Sequence, residues 1–383
     1  MNDFTVQKTK FPRIEKNPSL LGFGCMRLPV IEAGKPDIDE AIAEKMIDLA
    51  FEQGVNYFDT AYPYHQGMSE LFIGKALKKY PREQFHLADK MPSWLIQSVD
   101  DAKRIFAEQL QKCQVEYFDY YLCHALNRDT FKNYQLPGVM DFLYEMKKDG
   151  KIRHLGFSFH DSPDILDIIM DSYEWDFVQL QINYLDWDFI DSKRIYNSAV
   201  KRNIPVIVME PVRGGTLATL SEKSADILKT ARPDKSVASW AIRYVASLPQ
   251  VLTVLSGMSN LEQTLDNLGT VKHFEPLTQE DHQIVQKALK AFLDSKQIPC
   301  TACNYCMPCP HGVDIPLMFK LYNSYAINNN KHEYLYRLDK VEQEKWFDSC
   351  IDCEICESLC PQHIVISDQM EFLKDLHQKL IVK

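Results

Sequence analysis

Apolar residues gather in short runs that recur at regular intervals over roughly the first 275 residues. Eight runs stand out, at 19–26, 56–61, 85–90, 117–124, 152–160, 177–184, 205–212 and 251–258. They are short, apolar and evenly spaced, which predicts strands. Between them the pattern changes to helical spacing. Ile42, Met46, Leu49 and Ala50 recur on one helical face, with Gly54 placed to end the helix, and Ala102, Ile105, Phe106, Leu110 and Cys113 repeat the pattern further on. Eight strands separated by helices predict an α/β chain built as a (β/α)8 TIM barrel. The competitor is a doubly wound open sheet, which is expected to carry GxGxxG after its first strand. The stretch LGFGCMRLP lacks the third glycine and runs into a proline.

One more helix is predicted over 278–296, with Thr278 as its cap and Glu280 in the first turn. Past it the composition changes to cysteine and proline. Between two cysteine runs lie about forty residues of helical, aromatic-rich pattern, among them Leu317, Met318, Phe319, Leu321, Tyr322, Tyr325, Tyr334, Leu335 and Leu338. The expected organisation is a barrel over 1–277, a closing helix and linker over 278–298, and a small, mainly α-helical ferredoxin-like domain over 299–383.

Composition narrows the function class. Hydrophobic residues make up 45% and charged residues 25%, ordinary values for a globular protein, and the formal net charge of −10 argues against nucleic acid or an anionic membrane as partner. The N-terminus has no apolar core of the signal-peptide kind, and no run approaches the ~20 apolar residues of a membrane span. A cytoplasmic protein is expected. Of eleven cysteines, only Cys25, Cys113 and Cys123 precede Cys300. In a reducing cytosol such clustering points to metal or redox chemistry rather than disulfides.

Catalytic groups of a barrel sit at the C-terminal ends of its strands. Asp59 ends the second predicted strand, with Tyr64 five residues on. Lys90 ends the third and His124 the fourth. Together they make a workable acid site. A tyrosine of pKa ~10 needs help to donate at neutral pH, and a neighbouring ammonium is expected to lower that value. An aspartate keeps the lysine charged and placed, and a histidine can orient a carbonyl oxygen. Taken singly, each is more often a structural ion pair or a packed histidine; order and spacing together favour catalysis. Tyr57, Tyr62, Trp94 and Trp187 are weighed equally as pocket lining and as packing.

Asp59, Tyr64, Lys90 and His124, in this order, resemble the aldo/keto reductase family. LGFGCMRLP, GFS at 156–158, QLQIN at 179–183 and MEPVRGG at 209–215 add to the likeness, which covers roughly residues 10–275. The resemblance implies reduction of an aldehyde or ketone, with a hydride from NADPH or NADH and the proton from Tyr64. It places Gly24, Cys25, Met26 and Asp59 near the nucleotide, and Ser158 and Gln179 on the nicotinamide carboxamide. Met209 takes the place of a ring-stacking aromatic, and Pro211, Val212, Gly214, Gly215 and Leu217 form a loop around the pyrophosphate, the glycines letting amides approach closely. After the last strand it adds Gly257, Gln263 and Asn267. Three departures stand out. Phe159 replaces an asparagine, Gln181 replaces a glutamate, and Gly257, Met258, Ser259, Asn260 and Gln263 are uncharged where NADPH-preferring members carry Lys or Arg. NAD and NADP both stay open.

The cysteine runs are Cys300, Cys303, Cys306 and Cys309, then Cys350, Cys353, Cys356 and Cys360. The second has the spacing C-x2-C-x2-C-x3-C-P of bacterial ferredoxins, and the long helical gap is similar to α-helical ferredoxin domains. This resemblance implies two [4Fe–4S] clusters with exchanged fourth ligands, Cys300, Cys303, Cys306 and Cys360 holding one, and Cys350, Cys353, Cys356 and Cys309 the other. Zinc is the competing reading, since paired CxxC motifs often bind one zinc ion. The expected function is NAD(P)H-dependent reduction of a small-molecule carbonyl substrate, with Tyr64 as proton donor. The alternative is an electron-transfer or redox-sensing protein whose barrel turns over little and whose clusters dock an electron-transfer protein partner. A nicotinamide gives two electrons at once and clusters pass one, and no flavin signature joins them; a reductase fed through an unseen flavin is the third reading.

Overall fold

The computed structural model describes residues 11, 14, 16, 18–32, 35–189, 191–272, 274–294, 297–328 and 330–381. The eight predicted strands are all present: β1 (Leu21–Gly24), β2 (Tyr57–Asp59), β3 (His86–Pro92), β4 (Phe118–Leu126), β5 (Ile152–Phe159), β6 (Phe177–Gln181), β7 (Val206–Met209) and β8 (Val251–Ser256). Each pairs in parallel with its sequence neighbours, and β8 returns to β1, so the sheet closes in the order β1 to β8. The open-sheet alternative is thereby excluded. Parallel strands covered on both faces carry continuous apolar runs, and β2, β3, β6 and β8 are buried along their whole length.

The helices form where periodicity placed them, with one correction of face. The helix Glu40–Glu52 buries Ala43, Met46, Ile47 and Ala50, and Ile42 is exposed. Gly54 follows it with φ 95, the left-handed conformation that turns the chain toward β2. The helix Val99–Lys112 is capped by the Ser98 side chain and buries Ala102, Ile105, Phe106 and Gln109. Inside the barrel, Phe11, Ile14, Tyr57, Tyr120, Phe177 and Ile207 belong to one buried cluster. Tyr57 therefore belongs to the core.

Two compact units emerge from the contacts, one of residues 1–211 with 239–278, the other of 212–238 with 279–383. In the second, the helix Gln279–Leu293 receives the hydroxyl of Ser224 at the Ala288 carbonyl, 2.7 Å, and Arg232 grips Asp281 with both oxygens at 3.0 Å. The gap between the cysteine runs forms the helices Ile315–Asn328 and Lys331–Asp339, and Ile366–Ile381 closes the chain. Met318, Phe319, Tyr334, Leu338, Phe347 and Leu373 fill the core between them. Among the described residues no helix is long and apolar enough to cross a membrane.

Candidate active site

Register decides which strand-end side chains meet. Gly24 pairs with Asp59 across β1 and β2, Asp59 with Ala88 across β2 and β3, and Lys90 with Leu122 across β3 and β4. This stagger brings the polar ends of β2, β3 and β4 to one mouth of the barrel. There the Lys90 ammonium, fully buried, donates to Asp59 Oδ1 at 2.5 Å, to the Thr60 carbonyl at 2.8 Å and to the Tyr64 hydroxyl at 3.2 Å. His124 stands edge-on to Tyr64 with ring centroids 6.0 Å apart. All four residues singled out in the sequence are brought together.

The electrostatics correct one expectation. Burial pushes the Tyr64 phenol well above its ordinary range, and the Asp59 and Glu210 carboxylates push it further. Burial and these carboxylates outweigh the pull of the Lys90 ammonium, so the net shift is upward. Tyr64 is thus a neutral phenol throughout the neutral range. Lys90 donates to its oxygen, which leaves the phenolic proton to be given elsewhere. Burial, followed by the Lys90 charge and His160, holds His124 well below the usual histidine range. A neutral imidazole keeps one N–H donor and one acceptor, and His124 Nδ1 is buried without a hydrogen-bond partner.

Across the barrel, Ser158 and Gln179 are register partners on β5 and β6. Ser158 Oγ accepts from the Ala125 amide at 2.8 Å, so its own proton is directed elsewhere. Gln179 Nε2 reaches Met209 Sδ at 3.5 Å, and its Oε1 is buried without a partner. One hydroxyl donor and one orphaned amide acceptor side by side suit a carboxamide, which offers an acceptor and two donors. Gln181 is committed to Asp186 at 2.7 Å.

Other expected positions have local partners. Gln263 Oε1 accepts from the Ser259 amide, Asn260 caps the helix Leu261–Val271, and Asn267 donates to Ser256 Oγ at 2.8 Å. Cys25 is buried at the end of β1, and burial pushes its thiol up. Gly215, φ 94, has open space where a Cβ would sit, and Leu217 is buried. Gly214 is different: a Cβ there would lie 2.2 Å from the Thr301 carbonyl, so its smallness serves packing against the first cysteine run. Of the four aromatics, only Trp94 meets the acid site, its ring 5.3 Å from His124. Tyr62 bonds Glu108, and Trp187 packs on Tyr196 and Tyr244. Sequence reading missed Arg27 and Glu210. Arg27 Nη2 meets Glu210 Oε1 at 3.3 Å, Arg27 packs on Gly257, and Glu210 bears on Tyr64. Both stand at predicted strand ends, inside LGFGCMRLP and MEPVRGG, but 183 residues apart in sequence, so only the fold could pair them.

In the second unit the cysteines fall into two sets. Cys300 is close enough to Cys303 and Cys360 to feel their charge, and Cys306 feels Cys303, Cys300 and Cys360. Cys356 instead feels Cys309 and Cys350, and one cavity is lined by Cys309, Cys350, Cys353 and Cys356 with Val313, Ile315 and Met370. Burial pushes Cys300 to about 11, Cys306 to about 12 and Cys356 to about 11, so these sulfurs are thiols until a cation displaces their protons. The two runs share a backbone device. The second and fourth residues after the first cysteine, Ala302 and Asn304 in one run, Asp352 and Glu354 in the other, all have left-handed φ between 51 and 65. Such alternation turns successive amides inward, a form that iron–sulfur sites use, and the Ala302 amide already donates to Cys300 Sγ at 3.3 Å. Among the described residues no three His, Cys, Asp or Glu side chains are grouped as one metal ion requires. The donors in both sets are cysteine sulfurs alone, a chemistry that suits iron–sulfur clusters.

Comparison with known proteins agrees with both halves. Residues 20–290 match the aldo/keto reductase family and residues 299–365 match the 4Fe-4S dicluster domain. The chain is 30% identical over 174 residues to a probable aldo-keto reductase 1 of Glycine max, a match over 43% of this chain and 48% of that protein, so it spans about half the length of that relative. It is 26% identical to the L-galactose dehydrogenase of Arabidopsis thaliana over 68% of this chain and 86% of that one, and 24% identical to the NADH-specific methylglyoxal reductase of Escherichia coli over 66% and 90%. The holo form of an aldo-keto reductase from Bacillus halodurans superposes with a TM-score of 0.61 at 27% identity, covering 74% of this chain and 96% of that one. The chain belongs to the aldo/keto reductase family of oxidoreductases and carries a C-terminal 4Fe-4S dicluster domain.

Proposed function

We propose that the protein reduces an aldehyde or ketone to an alcohol with NAD(P)H, that Tyr64 gives the proton, and that residues 299–383 hold two [4Fe–4S] clusters. The observation that carries the first part is the single ammonium of Lys90, joined to Asp59, to the Thr60 carbonyl and to the Tyr64 hydroxyl at the mouth of the barrel. When bound, the nicotinamide supplies a hydride to the carbonyl carbon. Ser158 and Gln179 would hold its carboxamide, Met209 would face its ring, and Pro211, Val212, Gly215 and Leu217 would form the pyrophosphate loop. His124 donates its N–H to the substrate oxygen, which is polarised and placed beside Tyr64. Tyr64 transfers its proton to that oxygen as negative charge builds there. Lys90 steadies the phenolate left behind, and Asp59 holds Lys90 in place. Trp94, half-exposed over His124, covers the substrate.

Barrel residues 1–277, linker 278–298 and cluster domain 299–383 then have distinct tasks, in a cytoplasmic setting where the thiols are kept reduced. The absence of Lys or Arg at Gly257, Met258, Ser259, Asn260 and Gln263, with the acidic Glu262 beside them, supports use of NADH alongside NADPH, in line with the NADH-specific methylglyoxal reductase among the relatives. The test is turnover of a panel of aldehydes that includes methylglyoxal, by wild type and Tyr64→Phe with each nucleotide. Wild-type oxidation of NADH or NADPH that falls by about 10²-fold or more in Tyr64→Phe is expected. No Tyr64-dependent oxidation with any carbonyl would refute the reading.

A further inference from the structure

Arg213 has the only arginine side chain among the largest fully buried ones of the described residues. It follows the Val212 carbonyl that accepts the amides of Gly215 and Leu217, so it sits at the base of the loop after β7. Its guanidinium bridges two distant segments. Nη1 donates to the Pro299 carbonyl at 2.7 Å, one residue before Cys300, and Nη2 donates to Gln362 Oε1 at 3.1 Å, two residues after Cys360. Cys300 and Cys360 are the first and last ligands of one thiol set. One planar cation therefore spans both chain segments that this set must hold together. The planar fork of arginine suits such a span, and a lysine offers a single point instead.

The loop is held tightly against the same run. Arg213, Gly214 and Gly215 have φ of 49, 61 and 94, three left-handed residues in succession. A non-glycine residue stays in that region only where its surroundings fix it. Here they do: the Thr301 carbonyl lies where a Cβ of Gly214 would be. The guanidinium charge also reaches Cys300, the first cysteine of that set.

We propose that Arg213 is a positioning residue through which occupancy of the Cys300, Cys303, Cys306 and Cys360 site sets the conformation of the Val212–Leu217 loop, and with it the affinity for nicotinamide nucleotide. The inference rests on the reading that this loop holds the pyrophosphate. With the cluster in place, Pro299 and Gln362 stand at the separation the guanidinium needs, and the left-handed loop is held. Without it the two segments part, the guanidinium loses one acceptor, and the loop relaxes toward ordinary φ. The coupling is reciprocal, so nucleotide must also favour the loaded cluster.

The test uses the full chain, purified without oxygen, with NADH and NADPH titrated by fluorescence. Loaded protein is compared with protein stripped by a chelator, and with loaded Arg213→Met, Arg213→Lys and Gln362→Ala. Stripping and Arg213→Met are each expected to weaken nucleotide about tenfold, and Gln362→Ala, which keeps every cysteine, to weaken it less. Arg213→Met is further expected to lower the midpoint potential of one cluster by electron paramagnetic resonance and leave the other in place. Arg213→Lys restores that potential without restoring nucleotide affinity. Saturating nucleotide raises the iron retained at equilibrium with chelator. Equal affinities in loaded, stripped and Arg213→Met protein overturn the coupling while leaving the reductase reading intact. Absence of nucleotide binding in every form overturns both.

Discussion

At the acid site one charge serves three acceptors. The Lys90 and Asp59 side chains are 0% and 4% exposed, so water screens neither. Burial raises the Asp59 carboxyl above its ordinary range and the lysine limits that rise, which ties the two groups together. Lys90→Met leaves Asp59 as a buried carboxylate without its cation. It is expected to cost about 3–5 kcal/mol of stability as well as turnover. Lys90→Met with Asp59→Asn removes both charges. The double variant should recover most of the stability by urea melting and none of the turnover, because the phenolate still lacks its ammonium. If the double variant regained activity, Lys90 would be structural and the proton route would need another stabiliser. Lys90, Asp59 and His124 were legible in the sequence because each interrupts or ends an apolar run where a barrel places its chemistry, and Tyr64 because it follows Asp59 by five residues in the loop after such a run. The raised phenol was not legible, since it depends on burial and on Glu210, a partner that only the fold brings near.

The strands were legible for a related reason. A parallel sheet covered on both faces leaves runs of apolar residues that helices do not imitate at that length, and all eight appear within a few residues of their expected bounds. Helix faces were harder to read. Ile42 and Leu49 fit the helical period as well as Ala43 and Ile47 do, and only the barrel wall decides which pair is buried. What pins the strands at the other end of the barrel is a carboxylate. Asp119 on β4 accepts from Arg82 at 2.6 Å, from the Leu87 amide of β3 at 3.0 Å and from Arg153 of β5 at 3.0 Å. Burial pushes its carboxyl up, but His86, Arg82 and the Leu87 amide outweigh burial and hold it below the usual range. The folded state therefore binds this proton more weakly than the unfolded state. Its contribution is complete above the unfolded value of about 3.9 and is lost as the pH falls through the folded one. Asp119→Asn is expected to cost about 2 kcal/mol at neutral pH. The gap between variant and wild type in urea melts should narrow as the pH drops below about 4. A gap that stays constant across that range would assign the loss to packing instead.

At the scale of the whole molecule, cysteine spacing announced a cluster domain, but spacing alone does not say which sulfurs share a site. The ferredoxin resemblance implies exchanged fourth cysteines, Cys360 with the first run and Cys309 with the second. The fold favours exchange: Cys360 lies with Cys300 and Cys306, and Cys309 with Cys350 and Cys356. Nor did the sequence signal that residues 212–238 pack with 279–383, since the stretch reads as one more strand-to-helix connection. These two placements make a joint prediction. Cys360→Ser, altered in the second run, should empty the site beside Arg213, and Cys309→Ser, altered in the first run, should empty the other. Either variant should fall from about eight irons per chain to about four. Only Cys360→Ser should also weaken nucleotide, because only that site is spanned by Arg213. If each run held its own cluster, the assignment would reverse, and Cys309→Ser would be the variant that loosens the loop. Iron and sulfide analysis with nucleotide titration on the same two preparations separates the cases. Recovery of stoichiometric zinc in wild type made without oxygen would remove the clusters from the scheme altogether. Such an outcome would leave the barrel chemistry standing, since neither Tyr64 nor Lys90 draws on a cysteine of the two runs.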